Sequence, residues 1–491
     1  MGHFKQITKY LKILHTRGFW IGLGAGILYF SYIFWWFWST YPLTPLGFQN
    51  KFFAFAIILM IFTACVAITS IWWGVAGFAA GKFIDKKLSS TLFPLAVAGT
   101  LTLTEYFRSI FFSIFWFGSG GAIGPHWPLG NVAYLLINLK PLAQTASLWG
   151  IYGIDFVVVL IVAAGIFVTV QKNHKKFLIL QIITAVLVIG AFNFYPGKSS
   201  EQNPIPVALI QTHTPSDGFS DPDQALRDLR LKLQLLEKAA ETIQKGIIVF
   251  PEGTNLTKTL SQFLNNNDLV KYFYTIYPQE LLIIDNLRVP EEDNFHSKAV
   301  FISSKDGVVG SYDKQILTPG GEFLPYIVKW PLSIISPNLR KRFRTYREYD
   351  RGYGSNIVKY QNNEIKILIC SDMVSPQKSR DNNGDFTIIM TSLSIWNGSK
   401  LINSEALPIL RYRAIESGKH TVLASNFGRS YIINRYGEVE KMTQSEDYEL
   451  LTGTIIPNQD RTWYNYVGDW PILLLSGFFF ILGMRKKVHS N

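Results

Sequence analysis

Two hydrophobic patterns divide the chain. Six apolar runs are long enough to cross a hydrocarbon layer of about 30 Å. They lie near residues 18–40, 52–80, 91–117, 144–171, 177–196 and 463–484. Elsewhere, short β-branched segments alternate with amphipathic ones. The pattern predicts a membrane domain with about five transmembrane helices over residues 1–196, a water-exposed domain over 197–462, and a last transmembrane helix with a basic tail over 463–491.

Composition agrees with contact to lipid. Hydrophobic residues make up 48% of the chain, aromatic residues 15% and charged residues only 17%. The net charge is +12, but the basic residues cluster beside apolar runs, not on a polar domain. This placement favours anionic lipid headgroups over nucleic acid as the partner of the positive charge. We therefore expect an integral membrane protein that binds no nucleic acid.

Four basic clusters fall on one side of the membrane if every predicted span crosses it. They are Lys5, Lys9, Lys12 and Arg17; Lys82, Lys86 and Lys87; Lys172, Lys175 and Lys176; and Arg485, Lys486 and Lys487. The intervening loops at 41–50 and 118–143 carry few charges. The positive-inside rule then predicts that both termini are cytoplasmic and that residues 197–462 lie outside. The first apolar run is too long for a cleaved signal peptide and is expected to be a retained anchor.

One predicted span contains two charges. Glu105 and Arg108 are three residues apart and therefore share a helix face. Either they form an ion pair that holds the helix bundle together, or they face a substrate. In both cases we expect their face of the helix to avoid lipid.

Three reactive side chains follow segments that are predicted to be extended. Glu252 follows the apolar run 246–250, Cys370 follows the apolar run 365–369, and Lys314 lies between them in sequence. Taken singly, such a glutamate or lysine is usually a solvated surface group, and such a cysteine is usually a core residue. The three together, in this order, indicate a catalytic site instead.

The order and the local sequences resemble the nitrilase superfamily and, within it, the apolipoprotein N-acyltransferase family. The resemblance also rests on segments 321–325 (Gly-Glu-Phe-Leu-Pro), 411–418, 425–428 and 468–471, and on the flanking apolar runs. It implies an α+β protein in which a multi-span helical membrane domain is joined to a four-layer αββα sandwich. Our count of six spans is two fewer than the family's usual eight.

The resemblance also implies roles for single residues. Cys370 would be the nucleophile, Glu252 the general base and Lys314 the cation that stabilises the oxyanion, with Glu322 orienting the site. Asp372 stands where the family has a glutamate, so it and Trp396 are candidate substrate-binding residues. The chain departs from the family at Ser371-Asp372 and at Leu393-Ser394.

The implied activity is an acyl transfer in a bacterial inner membrane. A membrane phospholipid would acylate Cys370, and the amine of the diacylglyceryl-cysteine of a lipoprotein would take the acyl chain. The alternatives are a membrane-anchored nitrilase-like amidase that acts on a carbon-nitrogen substrate and a binding protein with an inactive site. Since the chain has only Cys65 and Cys370 and no nucleotide-binding motif, we expect no cofactor, no disulfide framework and no cysteine-based zinc site.

Basic and aromatic residues interleave over residues 338–354. Such a segment is either a solvated surface loop or a mobile arm over the active site. In the second case Arg340, Arg342 and Arg344 would grip lipid phosphates. The aromatic residues Phe343, Tyr346, Tyr349 and Tyr353 would lie at headgroup depth, and Gly352 and Gly354 would form the hinge.

Overall fold

The structure is a computed structural model that describes residues 2–44, 50–89, 91–170, 203–216, 218–262, 280–291, 294–381 and 384–485, without the side chains of residues 2–15, 167–170, 335, 342 and 346. The predicted span near 177–196 and the predicted domain boundary at residue 197 lie outside these ranges.

Thirteen α-helices occur in the described residues. They are α1 Gly2–Ile33, α2 Lys51–Asp85, α3 Leu92–Phe115, α4 Lys140–Gln144, α5 Ala146–Val170, α6 Pro222–Ile243, α7 Leu256–Ser261, α8 Tyr326–Ile335, α9 Pro337–Arg347, α10 Pro376–Arg380, α11 Lys400–Ser417, α12 Trp463–Val467 and α13 Trp470–Met484. Short 3₁₀ helices at Phe34–Thr40, Val132–Leu136, Cys370–Val374 and Ser394–Trp396 connect several of them.

Long apolar helices account for three of the six predicted spans. Helical segments Thr16–Thr40, Lys51–Asp85 and Ala146–Ile166 have the length and composition to cross a membrane, so this is a membrane protein. Helix α3, with 24 residues, also reaches about 36 Å, but its threonines and two charges make it less apolar. The run at 463–484 is not one helix as predicted, because Gly468 has φ +60° and separates α12 from the 15-residue α13.

Small residues let the membrane helices approach closely. A Cβ atom on Gly18 of α1 would lie 2.4 Å from the carbonyl oxygen of Gly77 in α2, and one on Gly99 of α3 would lie 2.6 Å from the carbonyl oxygen of Ser476 in α13. Backbone contact of this kind gains dispersion energy where burial of apolar surface gains little, since lipid is itself apolar. Helix α3 consequently packs against α2, α5 and α13.

Glu105 and Arg108 form an ion pair inside this bundle. Both side chains are buried, and Nη2 of Arg108 lies 2.5 Å from Oε2 of Glu105. Neither side chain contributes to the large cavity described below. The expectation that their helix face avoids lipid is confirmed, and the ion-pair interpretation fits better than direct contact with a substrate.

The second half of the chain forms two six-stranded sheets. The strands are β1 Ile205–Gln211, β2 Gly246–Val249, β3 Leu281–Glu291, β4 Asn294–Ser303, β5 Gly307–Asp313, β6 Ile357–Tyr360, β7 Asn363–Ile369, β8 Phe386–Ser392, β9 Thr421–Asn426, β10 Tyr431–Ile433, β11 Val439–Met442 and β12 Glu449–Ile455. The strand orders are β12-β1-β2-β3-β4-β5 and β11-β10-β9-β8-β7-β6.

The sheets face each other across a shared core and carry helices on their outer faces. Alternate residues of the central strands point inward, among them Val249, Ile284, Ile367 and Ile388. The outer face of the first sheet packs on α6 and α7, and the outer face of the second packs on α11. The predicted αββα sandwich is confirmed.

Helix α11 joins the sandwich to the membrane helices. One of its faces packs on the second sheet through Leu410 and Ala414, and the other packs on α5 through Tyr412 and Ile415. The hydroxyl of Tyr412 donates a hydrogen bond to the carbonyl oxygen of Ala133 at 2.8 Å. The outer helical layer of the sandwich therefore also belongs to the membrane-domain core.

Candidate active site

Glu252 and Cys370 come together because parallel strands end at one edge of each sheet. Strands β1, β2 and β3 are parallel, as are β7, β8 and β9. A bridge between Thr212 and Asn426 joins the carboxyl ends of β1 and β9. Glu252 follows β2 and Cys370 follows β7, so both reach the same rim, as ligand-binding residues of such sheets do.

Lys314 reaches this rim from an antiparallel strand. It follows β5, and its N–H donates to the carbonyl oxygen of Ser297 in β4 at 2.9 Å. Its own carbonyl oxygen accepts from the N–H of Gly352 at 2.7 Å, which fixes the backbone on both sides. The side chain is 2% exposed and lies between two carboxylates.

The ammonium of Lys314 is shared by Glu252 and Glu322. Its Nζ lies 2.8 Å from Oε1 of Glu252 and 2.9 Å from Oε1 of Glu322. The second oxygen of Glu252 accepts from the N–H of Ser392 at 3.0 Å, and that of Glu322 accepts from the N–H of Thr318 at 2.8 Å. The structure thus brings Glu252, Lys314 and Glu322 together as the sequence predicts, with one more carboxylate than ammonium.

Burial keeps Cys370 protonated as a thiol. Burial raises the pKa of Cys370 to about 12 and the charge of Glu252 adds to the rise, while the nearby ammonium of Lys314 opposes it. Burial also raises the pKa of Glu252, against the opposing effect of Lys314. For Lys314 itself, burial lowers the pKa, but the two carboxylates outweigh burial and raise it well above the usual value. The resting site therefore holds a thiol, an ammonium and a carboxylate able to accept the thiol proton.

The backbone at Cys370 is strained. This residue has φ +48°, in the left-handed region that residues other than glycine rarely adopt. It begins the 3₁₀ helix Cys370–Val374 directly after β7. Such a conformation persists only where neighbouring contacts hold it, and here it turns the sulfur toward the other strand ends.

Asp372 supplies those contacts. Its Oδ1 accepts from the N–H groups of Gln315 and Ile316 at 3.2 and 2.8 Å. Its Oδ2 accepts from the N–H of Ile369 at 3.0 Å and from the hydroxyl of Tyr312 at 2.9 Å. The carboxylate is fully buried and joins the segment of Cys370 to that of Lys314. Asp372 is not among the residues that line the cavity, so we propose a positioning role for it in place of the predicted contact with substrate.

An apolar cavity of about 1090 Å³ opens from these residues toward the membrane helices. Glu252, Lys314, Glu322 and Cys370 form its polar end. Its apolar walls come from α2, α3 and the segments that follow α1 and α3, and include Phe34, Trp36, Ile57, Ile61, Cys65, Phe112, Trp116, Trp127 and Leu129. Trp396 also lines it, which is the position expected of a substrate-binding residue.

The basic segment is helical and only part of it faces water. Residues 337–347 form helix α9, and Nη1 of Arg340 lies 2.9 Å from Oε2 of Glu348. Arg344 is exposed, and the side chain of Arg342 lies outside the described residues. Phe343 and Tyr349 line the cavity. A Cβ atom on Gly352 would lie 2.4 Å from the Asp313 carbonyl oxygen, a packed position that does not fit the predicted hinge.

Sequence reasoning missed two residues whose backbone N–H groups hold the site carboxylates. The N–H of Ser392 holds Glu252, and Thr391 precedes it at the end of the buried strand β8. The rule that selected Glu252 and Cys370, a polar residue at the end of an apolar strand, also applies to Ser392 and could have found it. Thr318, by contrast, lies in a turn whose sequence gives no such signal.

Replacing Asp372 with Asn is expected to loosen the site. The amide offers one acceptor oxygen where the carboxylate has two, so at least two donors lose their partner inside the protein. We expect the reaction of Cys370 with a small soluble thiol reagent to change at least severalfold, measured by mass spectrometry of the alkylated protein. Tyr312→Phe removes only one of the four hydrogen bonds and should change the rate less. Equal rates in Asp372→Asn and the unmodified protein would contradict the positioning role.

The raised pKa of Cys370 predicts an unusual pH dependence. Only the thiolate reacts, and a raised pKa means that less thiolate forms at a given pH, so the alkylation rate should rise about tenfold per pH unit from about pH 7 to about pH 10. An ordinary cysteine would level off near pH 8.5. The measurement is made on the Cys65→Ala variant so that only one thiol reports. A plateau near pH 8.5 would mean that Lys314 outweighs burial.

The part of the chain that carries the candidate site matches a known protein family. The carbon-nitrogen hydrolase family matches residues 207–465, a little over half of the chain. Among solved structures, Nit3 of Saccharomyces cerevisiae aligns over 55% of this chain and 96% of its own, at 14% identity and a TM-score of 0.39.

Several curated relatives extend the similarity into the membrane helices. The apolipoprotein N-acyltransferase of Wigglesworthia glossinidia brevipalpis is 24% identical over 89% of this chain and 83% of its own length. Those of Rickettsia typhi and Geobacter metallireducens are 25% and 22% identical over 77% and 96% of this chain and 76% and 87% of their own lengths. The superfamily resemblance drawn from Glu252, Lys314 and Cys370 is thereby confirmed, and the chain belongs to the carbon-nitrogen hydrolase family.

Proposed function

We propose that this protein is an apolipoprotein N-acyltransferase. It moves a fatty acyl chain from a membrane phospholipid to Cys370 and then to the N-terminal amine of the diacylglyceryl-cysteine of a lipoprotein. The observation that carries the proposal is the cavity, in which a thiol, a carboxylate and an ammonium stand at the end of an apolar space walled by membrane helices. The names of the three relatives support it.

The first half of the reaction forms a thioester. Glu252 takes the proton of the Cys370 thiol as the sulfur attacks the ester carbonyl carbon of the phospholipid. The ammonium of Lys314, held 2.8 Å from Glu252, stabilises the negative charge that develops on the carbonyl oxygen. When the carbon-oxygen bond breaks, the lysophospholipid leaves with the proton that Glu252 had taken.

The second half transfers the acyl chain. The lipoprotein amine attacks the thioester carbonyl carbon while Glu252 accepts a proton from the nitrogen. The carbon-sulfur bond then breaks and the thiolate of Cys370 recovers that proton from Glu252. The product is an amide, and the site returns to its starting state. Glu322 holds Lys314 in place through both halves.

The shape of the cavity favours transfer over hydrolysis. Water is the competing nucleophile for the thioester, and an apolar wall together with a bound acyl chain keeps water away from the sulfur. An amidase with a small carbon-nitrogen substrate would not need an apolar cavity that extends to α2 and α3. The acyltransferase is therefore preferred to the membrane-anchored amidase.

We infer that α8 and α9 cover this cavity. Val328 and Phe343 line it, whereas Lys341 and Arg344 are exposed and offer positive charge to lipid phosphates. Trp330 and Ile334 of α8 are also exposed, as residues that contact a lipid surface are. Arg344 is the stronger phosphate-binding candidate because it is exposed, whereas only 15% of the Arg340 side chain is exposed.

We propose a bacterial inner membrane as the location, with the sandwich on the outer side and both termini in the cytoplasm. The basic residues Lys82, Lys86 and Arg485 stand at the ends of α2 and α13, and Nζ of Lys86 donates to the carbonyl oxygens of Gly483 and Met484. The opposite end of the bundle contacts the sandwich through Nδ2 of Asn397 and the carbonyl oxygen of Ser39. This arrangement supports the orientation derived from loop charge.

Incubation with phospholipid is expected to leave one fatty acyl group on Cys370, seen by intact mass analysis. Cys370→Ala and Glu252→Gln should show no adduct, and Lys314→Met should acylate about 10²–10³-fold more slowly, the usual effect of losing an oxyanion donor. Cys65→Ala makes a small apolar change in the cavity wall and is the matched thiol control, which should still acquire the adduct on Cys370. An adduct that persists in Cys370→Ala would contradict the mechanism.

Impermeant cysteine labelling should place the sandwich outside the cell. Both native cysteines are first replaced by Ala, and single cysteines are then introduced at Tyr353 in the sandwich and at Ser89 after α2, both exposed positions. We expect a membrane-impermeant maleimide to label Tyr353→Cys in intact spheroplasts and to label Ser89→Cys only after lysis. The reverse pattern would overturn both the orientation and the choice of substrates.

A further inference from the structure

A row of buried polar side chains runs along one face of α3. Glu105, Arg108, Ser109 and Ser113 follow the spacing of a helix face, and all four are buried. Polar groups at such a depth are costly unless they are satisfied, so their partners indicate what they do.

The partners of Glu105 and Arg108 come from three other parts of the chain. Oε1 of Glu105 accepts from Nε1 of Trp73 in α2 at 2.7 Å. The guanidinium of Arg108 lies over the ring of Phe30 in α1, 4.8 Å from its centre. Its Nη1 donates to the carbonyl oxygen of Leu129 at 2.7 Å. Arg108 therefore connects α1 and α3 to the irregular segment that follows α3.

The serines hold the same segment. The N–H of Trp127 donates to Oγ of Ser109 at 2.9 Å, and Oγ of Ser113 donates to the carbonyl oxygen of Gly124 at 2.6 Å. Backbone without regular structure needs such partners where it is buried against membrane helices. Three side chains of α3 thus fix three backbone groups of residues 117–131, which we call the wall segment.

The wall segment contacts the loop that carries Glu322 and the loop that carries Cys370. The carbonyl oxygen of its first residue, Phe117, accepts from the N–H of Tyr326 at 2.8 Å. A Cβ atom on Gly118 would lie 2.7 Å from the carbonyl oxygen of Leu324, two residues after Glu322. On the side of Cys370, Nδ1 of His126 lies 2.9 Å from Oγ of Ser375. The wall segment therefore bridges the loops that carry Glu322 and Cys370.

The same segment forms part of the cavity. Trp127 and Leu129 line it, and their backbone groups are those that Ser109 and Arg108 hold. A shift of α3 or a loss of its polar contacts would therefore move the surface against which a bound acyl chain packs.

We infer that the Glu105–Arg108 pair, with Ser109, positions the wall segment for binding of the acyl donor. These are positioning residues that act through Trp127 and Leu129, and the inference rests on the proposed function for the identity of the donor as a phospholipid. A purely structural pair would affect how much protein folds, but would leave the affinity of the folded fraction for phospholipid unchanged.

Arg108→Lys tests this. Lysine keeps the charge next to Glu105 but lacks the planar fork that reaches both the carboxylate and the Leu129 carbonyl oxygen. We expect the KM for phospholipid in mixed micelles to rise about tenfold, the ratio that corresponds to one lost hydrogen bond, while the thioester forms at an almost unchanged rate at saturation. Ser109→Ala should raise KM in the same direction and decides the question if Arg108→Lys does not fold.

Arg413→Lys is the matched control. Arg413 and Glu416 in α11 form another buried pair three residues apart, with Nη1 and Oε2 at 2.7 Å, and their further hydrogen bonds go to Tyr134 and Ile151, outside the wall segment. This variant should match Arg108→Lys in its loss of stability but keep the original KM. A normal KM in folded Arg108→Lys, or an equal rise in both variants, would overturn the inference.

A binding measurement separates this inference from the proposed function. The Kd of a fluorescent phospholipid is measured in the Cys370→Ala background, with and without Arg108→Lys. A tenfold difference supports the inference even if the unmodified protein never forms a thioester, in which case only the proposed function fails. Equal Kd values, or no phospholipid binding at all, overturn the inference.

Discussion

One buried ammonium organises the candidate site. Lys314 stands 2.8 Å and 2.9 Å from two carboxylates, and its charge opposes the rise that burial causes in the pKa of Glu252. Without Lys314, the carboxylates of Glu252 and Glu322 would face each other with little water between them. The loops that carry Glu252 and Glu322 therefore depend on Lys314 for their relative position, and the cavity between the sandwich and the membrane helices depends on those loops.

Much of this arrangement follows from sequence because it rests on strand ends. Glu252 and Cys370 each follow an apolar strand. Parallel strands of a sheet have their carboxyl ends at one rim, irrespective of the loops that follow them. The αββα layers, by contrast, were implied by the family resemblance. The orientation of Asp372 did not follow, because its carboxylate could as well have pointed into the cavity as toward the four donors it meets.

The other errors share a cause in tertiary packing. Because charges interleave with aromatic rings, residues 338–354 were expected to be a solvated loop or a mobile arm, yet residues 337–347 form a helix whose Phe343 side chain packs toward the cavity. The last apolar run reads as one span, but Gly468, with φ +60° and ψ −145°, ends one helix before the next begins. In both places the pattern predicted the apolar character of the segment correctly. Contacts with residues distant in sequence determine where its helices begin and end.

The close packing of α13 on α3 has a consequence for how the protein is made. Gly99 accommodates the backbone of Ser476, so the groove on α3 is filled by a helix synthesised more than 350 residues later. Until then the sandwich must have been synthesised beside a membrane bundle that still lacks one of its helices. Assembly of the bundle and folding of the sandwich are therefore coupled in time, and a ribosome that stalls before Trp470 would leave the small residues of α3 open to lipid or to the protein insertion machinery.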